Sequence, residues 1–392
     1  MFYKPDYEGG SIVNLMSSIS KCFGLKLKYS ELILLPCEKL SGYKNIINIV
    51  IDGLGYDYLM KKRKNFLKDH SVGKITSVFP TTTSACITSF ATGLAPKEHG
   101  VTGWYMRLKN EKYDIPSTIL LFSDRRNEEP LINRGIEPED IFIDHRLSKK
   151  IKNLKVFHPE AISDSVYTKY LLSESEKIVY KGIEDMFDKL TTSVLSNKRE
   201  KNYFYAYLPD LDAVLHKVGS RSKELTKLFY SISRNTEKFV SEIEGTNSIV
   251  IVTADHGLID GEEGKRLNMN ELPEINKMLE FPLCGEPRAA YCYVKKKYLK
   301  DFKKTVEDRI GHAVKVFSRD QLIKGGYYGL FEENKELRGR IGDFVLVCKE
   351  NYVIKDFLKN EKVKWHSADH GGLSEKEMFV PLIVVESDQR RN

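Results

Sequence analysis

The chain has 392 residues, of which 41% are hydrophobic and 30% are charged, a composition typical of a soluble globular protein rather than a fibrous or disordered one. Its 62 Lys and Arg against 55 Asp and Glu leave a net charge of +7, too small an excess to indicate stable nucleic-acid binding. No apolar run approaches the roughly 20 residues that span a bilayer, and the first residues lack the basic-then-apolar order of a signal peptide. We therefore expect a cytoplasmic protein that does not bind membranes, and we leave its oligomeric state open.

The cysteines form no C-x-x-C pair and follow no spacing typical of a zinc finger or a disulfide framework. They are Cys22, Cys37, Cys86, Cys284, Cys292 and Cys348. We expect reduced and mostly buried thiols, and a structural role for Cys86.

In chain order, four continuously apolar runs predict buried strands, at residues 45–51, 203–208, 248–253 and 379–385. Between the second and third runs, Leu225, Leu228, Ile232, Phe239 and Ile243 recur at helical spacing. Buried strands separated by helices predict an α/β fold, with a mostly parallel central sheet and helices on both faces.

Two regions interrupt this alternation. Residues 105–165 are rich in charge and contain SDRRNEEP, so we expect them to run over the surface. Residues 262–362 read as strand, helix, strand, short helix and strand, and a strand of the main sheet follows them. We therefore predict a catalytic core of residues 1–261 and 363–392, with a small α+β cap inserted at 262–362.

Polar residues with metal-binding side chains stand at the ends of the predicted strands. Ligands bind at the carboxyl ends of the strands in an open parallel sheet, so these positions are candidates for a site. The candidates are Asp52, Asp212, His216, Asp255, His256 and His370.

Carboxylates and imidazoles without thiolates suit Zn²⁺, and also Mn²⁺, and six such residues are enough for two ions. Asp212 and His216 are four residues apart, so on a helix both can face one ion. Taken singly, each residue has a structural alternative as a turn-forming Asp or a hydrogen-bonded core His. Their shared position at strand ends favours a joint metal site. The other histidines lack this setting and are predicted to be surface or structural residues: His70, His99, His145, His158, His312 and His366.

The first strand is followed by Gly53-Leu54-Gly55, which is how a dinucleotide-binding loop begins. The third glycine of G-x-G-x-x-G is missing, because position 58 is Tyr. Two glycines alone are a weak signal for a dinucleotide, and we predict no organic cofactor site. Asp52 is the more informative residue of this segment.

A cluster of hydroxyls, Thr81 to Ser84, directly precedes a predicted helix, so we expect Thr83 or a neighbour at a helix N-terminus. Free backbone N–H groups and the helix dipole favour an anion there. A threonine hydroxyl becomes a useful nucleophile when a neighbouring base or metal promotes its ionisation. The alternative is that these residues only cap the helix.

These segments, in order, resemble the alkaline phosphatase superfamily and, within it, the type I phosphodiesterase/nucleotide pyrophosphatase family. The similar elements are IDG, FPTTTSACITSFATGLAPKEHG, YLPDLDAVLHKVG, TADHG and HGG, from about residue 44 to 260 and from 364 to 386. The resemblance implies that Thr83 is the nucleophile and forms a phosphothreonine intermediate. It also implies one zinc ion held by Asp52, Thr83, Asp255 and His256, and a second held by Asp212, His216 and His370.

One position departs from the family pattern. Family members commonly carry an Asn shortly after the HG element, as a donor to a phosphate oxygen, and here Trp104 has the corresponding spacing. An indole has a single N–H donor and cannot replace an amide. Either the backbone N–H of Ser84 and the metals suffice to bind the phosphate oxygen, or the substrate binds differently. Trp104 and Tyr105 are candidates for stacking on a planar group of the substrate, or for packing under a lid. Arg288 is a candidate for contact with a substrate anion, or for a structural ion pair.

We therefore predict a two-metal phosphodiesterase or nucleotide pyrophosphatase acting on a small phosphodiester or nucleotide substrate. A phosphomonoesterase is the nearest alternative, but its substrate usually calls for an additional cation, and none stands out in the nucleophile segment. A phosphonate hydrolase is a further alternative on the same scaffold. A sulfatase is disfavoured by the absence of C-x-P-S-R or S-x-P-S-R. A non-catalytic module stabilised by metals and a nicotinamide-dependent oxidoreductase complete the alternatives.

Overall fold

The computed structural model describes residues 1–197 and 201–387. The strands, in chain order, are β1 Asn45–Ile51, β2 Ser71–Thr76, β3 Tyr105–Lys109, β4 Asp114–Thr118, β5 Ser123–Asp124, β6 Leu154–Pro159, β7 Glu176–Tyr180, β8 Asn202–Leu208, β9 Ser248–Thr253, β10 Ile259–Asp260, β11 Arg266–Asn268, β12 Cys284–Glu286, β13 Ala289–Cys292, β14 Val314–Ser318, β15 Phe344–Cys348, β16 Val353–Lys355, β17 Ala368–Asp369 and β18 Phe379–Glu386. Most of them belong to two large sheets, which meet at the candidate site.

The helices, in chain order, are α1 Ile12–Lys21, α2 Cys37–Ser41, α3 Tyr56–Lys61, α4 Phe66–Asp69, α5 Thr83–Thr92, α6 Pro96–His99, α7 Pro138–Ile141, α8 Leu147–Lys150, α9 Glu160–Ser163, α10 Val166–Leu171, α11 Gly182–Ser196, α12 Asp210–Val218, α13 Lys223–Glu242, α14 Pro273–Asn276, α15 Phe302–Ile310, α16 Arg319–Lys324, α17 Leu337–Ile341 and α18 Glu375–Met378. Short 3₁₀ helices lie at Leu131–Arg134, Glu263–Lys265, Met269–Glu271 and Lys296–Tyr298. Within the described residues, none of these helices combines the length and apolar character that crossing a bilayer requires.

The main sheet has the strand order β2-β18-β9-β1-β8-β6-β7 and confirms the predicted, mostly parallel α/β fold. β1 lies parallel between β8 and β9, with Asn45 opposite both Asn202 and Ser248. β18 runs antiparallel to β9 and β2. Because of that reversal, the start of β18 lies at the same edge as the carboxyl ends of β1, β8 and β9.

Burial follows the apolar pattern of the sequence. Every residue of β1, β8 and β9 is buried, as expected for strands covered on both faces. The apolar stripe of α13, including Leu225, Ile232 and Phe239, belongs to the same core cluster as these strands. Burying one such aliphatic or aromatic side chain stabilises the fold by roughly 1.5–3 kcal/mol. The rigid sheet therefore fixes the residues that directly follow its strands.

The second sheet has the order β14-β15-β13-β12-β3-β4-β5. The predicted cap, residues 262–362, supplies β12 to β15, but β3 to β5 come from residues 105–124. The two parts join where Tyr105 pairs with Gly285. The division of the chain at residues 261 and 363 stays a prediction, and residues 388–392 of the predicted core lie outside the described part of the chain.

The prediction that residues 105–165 run over the surface was wrong. β3, β4 and β5 are strands of the second sheet, and β6 is a strand of the main sheet. The charges that suggested exposure are paired: Arg107 Nη2 lies 2.6 Å from Asp114 Oδ2, and Arg125 is buried in an ion-pair group described below. Charged side chains can be buried when they are paired, so a charge-rich sequence does not by itself establish exposure.

Candidate active site

The candidate ligands converge because their strands end at the same edge. Asp52 follows β1 directly, and its backbone N–H still donates to the carbonyl of Leu208 at the end of β8 over 2.9 Å. α12 begins immediately after β8 and carries Asp212 and His216. Asp255 and His256 follow β9, and His370 lies just after β17. The structure thus brings all the predicted side chains to one place, next to Thr83.

One group of side chains surrounds the Thr83 hydroxyl. Thr83 Oγ1 lies 3.4 Å from Asp52 Oδ2 and 3.2 Å from His256 Nε2. His256 Nε2 in turn lies 3.5 Å from Asp52 Oδ1 and 3.4 Å from Asp255 Oδ2. The four side chains therefore aim their polar atoms at a common point.

A second group lies beside the first. His216 Nε2 is 3.4 Å from Asp212 Oδ2, and potential ligand atoms of Asp212, His216 and His370 all lie within 4.8 Å of one another. The ring of His370 stacks on that of His256 with centroids 3.9 Å apart. Potential ligand atoms of Asp52, Asp212 and His256 also lie within 4.8 Å of one another, so the two groups adjoin.

The three histidines are held in one orientation by the backbone. The Nδ1–H of His216 donates to the carbonyl of Ala368 over 2.7 Å, and that of His370 donates to Thr81 over 2.9 Å. His256 Nδ1 lies 3.2 Å from the carbonyl of Gly257. A donor at Nδ1 leaves the lone pair on Nε2, the arrangement that metal-binding histidines require. Burial lowers the pKa of each imidazole, to about 3 for His256 and about 4 for His216, so they stay neutral at physiological pH.

The aspartates of the site differ from the histidines, because each has a buried oxygen without a hydrogen-bond partner in the described residues. Asp52 Oδ1, Asp212 Oδ1 and Asp255 Oδ2 are buried and have no hydrogen-bond partner among the described residues. Burial, and then the charge of the neighbouring aspartates, raise the pKa of Asp52 and of Asp212 well above the usual value. Buried like charges of this kind call for a cation. The unpartnered oxygens and the neutral Nε2 atoms together fit divalent metal ions of the zinc type.

The glycine after Asp52 has a structural function of its own. Gly53 adopts φ of +75°, and a Cβ there would lie 3.1 Å from the Cβ of Asp212 and 2.7 Å from Leu258 Cδ1. Its N–H donates to Asp255 Oδ1 over 3.1 Å. Gly53 therefore lets α12 approach the end of β1, which brings Asp212 to the site.

Thr83 is the first residue of α5, and the helix start is open toward the site. Thr82, the N-cap, makes no side-chain capping bond, because its hydroxyl donates to Glu286 Oε1 over 2.5 Å. The hydroxyl of Thr81 donates to the carbonyl of Gly372 over 3.0 Å. Capping of α5 thus does not explain the threonines before Thr83. Backbone N–H groups of the first turn, including that of Ser84, are available for an anion.

A cavity of about 760 Å³ lies in front of these residues. The main-sheet side contributes Thr83, Asp212, His216 and His370, and the second-sheet region contributes the facing residues. The predicted residues Trp104 and Tyr105 both line it. The Arg125 guanidinium lies 4.1 Å from the Tyr105 ring centroid, which occupies one face of that ring.

Arg288 does not reach the cavity, so the prediction of a contact with substrate was wrong and its structural alternative is correct. The side chain is fully buried and forms a two-pronged ion pair with Glu377, at 2.8 Å from Nε and 2.9 Å from Nη2. Nη1 donates to the carbonyl of Tyr352 over 2.5 Å. These bonds tie the segment between β12 and β13 to α18 and neutralise the charge of Arg288.

Sequence reasoning missed two neighbours of the candidate ligands. His366, predicted to be a surface or structural residue, lies with its ring centroid 4.5 Å from that of His216. Its Nδ1 is 3.3 Å from Asp369 Oδ1, and both residues line the cavity. For Asp369 a signal was present, since the tetrapeptide Ala-Asp-His-Gly occurs at 254–257 and again at 368–371; His366 lies outside this repeat.

Tyr207 in β8 was also missed, and its hydroxyl donates to Asp52 Oδ2. It belongs to a strand read as uniformly apolar, where nothing distinguishes it from Tyr203 or Tyr205. Glu286 and Lys355, both on the second-sheet side of the cavity, gave no local signal either. Their positions follow from the packing of the two sheets.

Residues 46–373 match the family model for type I phosphodiesterase/nucleotide pyrophosphatase. The chain belongs to this family. Membership indicates a phosphoester hydrolase, and the fold is of the alkaline phosphatase type. A search of curated proteins finds no significant match.

Solved structures share the fold at low sequence identity. Murine ectonucleotide pyrophosphatase/phosphodiesterase 5 is 16% identical with a TM-score of 0.63, and the match covers 86% of this chain and 87% of that one. The human protein of the same name is 15% identical with a TM-score of 0.62 and the same coverage. Phosphonoacetate hydrolase from Sinorhizobium meliloti 1021, in complex with phosphonoformate, is 17% identical with a TM-score of 0.57, covering 88% of this chain and 90% of that one.

Proposed function

We propose that this family member is a two-metal phosphodiesterase or nucleotide pyrophosphatase that uses Thr83 as its nucleophile. The observation that carries the proposal is the convergence of Asp52, Asp255 and His256 on the Thr83 hydroxyl at the open end of α5. An inactive threonine-to-alanine variant of the murine protein, in complex with AMP, is in keeping with a threonine nucleophile and a nucleotide ligand. Zinc and a cytoplasmic location are parts of the same proposal.

The first step forms a bond between Thr83 Oγ1 and phosphorus and breaks the bond between phosphorus and the leaving oxygen, which departs with the electron pair. Bound divalent cations would promote ionisation of the hydroxyl and neutralise charge on the phosphoryl oxygens. The hydroxyl proton passes to the Asp52 carboxylate, whose Oδ2 lies 3.4 Å from Thr83 Oγ1, and through solvent to the leaving oxygen. The product of the step is a phosphothreonine at position 83.

The chain orients both the nucleophile and the phosphoryl group. The Tyr207 hydroxyl holds Asp52, and the helix start fixes Thr83. The Ser84 N–H donates to a phosphoryl oxygen where negative charge develops. In the second step water attacks phosphorus, the bond to Thr83 Oγ1 breaks, and the hydroxyl is restored. The exposed face of Trp104 stacks on a planar group of the substrate.

The proposal is tested with bis-p-nitrophenyl phosphate and p-nitrophenyl phosphate, using zinc-loaded and manganese-loaded protein and Thr83→Ala as the blank. We expect a higher kcat/KM for the diester. A higher value for the monoester would assign a phosphomonoesterase to the same residues. Metal-loaded protein without turnover of either ester would favour a non-catalytic module.

A further inference from the structure

Lys355, at the end of β16, lines the same cavity as Thr83 and is half-buried. Its backbone is fixed on both sides. The N–H of Ile354 donates to the carbonyl of Pro287 over 2.8 Å, and the carbonyl of Asp356 accepts from Arg125 Nη2 over 3.0 Å. Lys355 therefore lies in a well-ordered wall of the cavity, in contrast to the exposed Lys362 and Lys364, which also line it.

The ammonium of Lys355 has no ion-pair partner within residues 1–197 and 201–387. Two carboxylates of the same segment are occupied: Arg125 lies 2.9 Å from Asp356 Oδ1 and 2.8 Å from Glu361 Oε2. The other contact of Lys355 is weak, since Nζ lies 5.8 Å from the centroid of the Trp365 ring.

The remaining acidic neighbours are also engaged. Asp369 faces His366 at 3.3 Å. Glu286 accepts from the Thr82 hydroxyl and, over 2.6 Å, from the backbone N–H of Trp104. Burial lowers the pKa of Lys355, and the charges of Asp369 and Glu286 oppose that shift without reversing it. A half-buried cation without an ion-pair partner loses part of its hydration uncompensated, and an anionic ligand compensates that loss.

The reacting phosphorus must lie within bonding reach of Thr83, where the candidate metal ligands converge. Lys355 stands on a different wall, beside the turn that follows β12. The cavity of about 760 Å³ has room for much more than one phosphoryl group. The ammonium of Lys355 is therefore placed to bind a group of the substrate other than the reacting phosphoryl group.

We propose that Lys355 is a specificity-determining residue that binds a second anionic group of the substrate, next to the reacting phosphoryl group. This inference rests on the proposed function, because it places the reacting phosphorus at Thr83. The second anion is the neighbouring phosphate in a phosphoanhydride, or the carboxylate in a phosphonate carboxylic acid. Both make charge-assisted hydrogen bonds to an ammonium.

The test measures binding to metal-loaded Thr83→Ala protein by isothermal titration calorimetry, so that turnover does not interfere. Two ligand pairs differ by one anionic group: AMP and ADP, and methylphosphonate and phosphonoacetate. Each is measured with Lys355 intact, with Lys355→Met and with Lys355→Arg. Lys359→Met, an exposed lysine four residues further on that does not line the cavity, is the matched control.

We expect Lys355→Met to weaken binding of the longer member of a pair by about tenfold, with less than a twofold change for the shorter one. If Lys355→Met loses affinity for ADP alone, the second anion is the phosphate of a phosphoanhydride. If it loses affinity for phosphonoacetate alone, the second anion is the carboxylate of a phosphonate. Lys355→Arg should keep most of the affinity, because it retains the positive charge. Equal weakening of both members, or of neither, overturns the inference. So does normal binding to Lys355→Met when Lys355→Arg binds poorly.

Wild-type turnover of bis-p-nitrophenyl phosphate is measured in parallel. Its absence would count against the proposed function, whereas the calorimetric differences test Lys355 by themselves. Should Lys355→Met fail to fold, Lys355→Gln replaces it. Melting temperatures of all variants separate a loss of binding from a loss of structure.

Discussion

The main-sheet side of the cavity region, here called the first wall, and the second-sheet side, the second wall, differ in whether their buried charges are paired. At the edge of the main sheet, Asp52, Asp212 and Asp255 are buried together with oxygens that have no hydrogen-bond partner in the described part of the chain. On the second-sheet side, Arg125 is neutralised by Asp356 and Glu361. Among the described residues, no Lys or Arg pairs with the carboxylates of the first wall. On the second wall Arg125 is paired, whereas the half-buried Lys355 has no ion-pair partner in that part of the chain.

This difference indicates what each wall contributes. Buried polar groups without hydrogen-bond partners lower the stability of a fold, and they are typically found where a ligand binds or a reaction takes place. Internally paired groups fix the shape of a cavity. Substitutions in the first wall should therefore change turnover with little effect on the fold, and those in the second should change stability first.

Thr83→Ala is expected to have the largest effect. Without the hydroxyl no phosphothreonine forms, so kcat should fall by about 10³-fold or more. The fold should remain, because Thr83 is half-buried at a helix start. Steady-state kinetics and circular dichroism check both parts. Thr88→Ala on the same helix is the control, since the Thr88 hydroxyl bonds to Tyr167 away from the cavity. Near-normal turnover by Thr83→Ala would contradict the covalent mechanism.

Removal of bound metal by a chelator should abolish turnover, and added Zn²⁺ or Mn²⁺ should restore it. Metal binding relieves the repulsion among the buried carboxylates, so the melting temperature should rise with metal concentration. Elemental analysis should find about two ions per chain in wild type. His370→Ala should bind one fewer ion. Full activity of demetallated protein would show that the charge cluster has another purpose.

Arg288→Met probes the packing behind the second wall. It leaves Glu377 buried without its cation, which typically costs about 3–5 kcal/mol of the free energy of unfolding. The molecules that remain folded should keep the KM of the wild type, because Arg288 does not line the cavity. Urea denaturation and Michaelis kinetics at a low temperature separate the two quantities. A raised KM with unchanged stability would restore Arg288 as a substrate contact.

Tyr207→Phe should have a smaller effect on the first wall. It removes the hydroxyl that donates to Asp52, and loss of such a supporting bond lowers metal affinity by about 10–100-fold. Competition with a metal-binding dye measures this affinity. Tyr205→Phe is a closely matched control on the same strand, because the Tyr205 hydroxyl has no hydrogen-bond partner within the described residues. Equal losses in both variants would point to packing of β8 instead.

The periodicity of the sequence predicted the main sheet, since strands buried on both faces must be continuously apolar. Position at the strand ends then singled out Asp52, Asp255 and His256. The same logic failed for residues 105–165, where Arg107 and Arg125 find their partners in distant segments. Pairing across such separations leaves no local trace.

The sequence by itself determined the family, the α/β fold and the side chains that gather around Thr83, because these depend on short motifs attached to strongly patterned strands. The tertiary structure decided which residues line the second wall of the cavity. Arg288 turned out to be paired and Lys355 unpaired, although both are basic residues of the same predicted cap. The reason is physical: whether a charge is neutralised depends on which distant segments fold against it, and only the packing of the two sheets sets that.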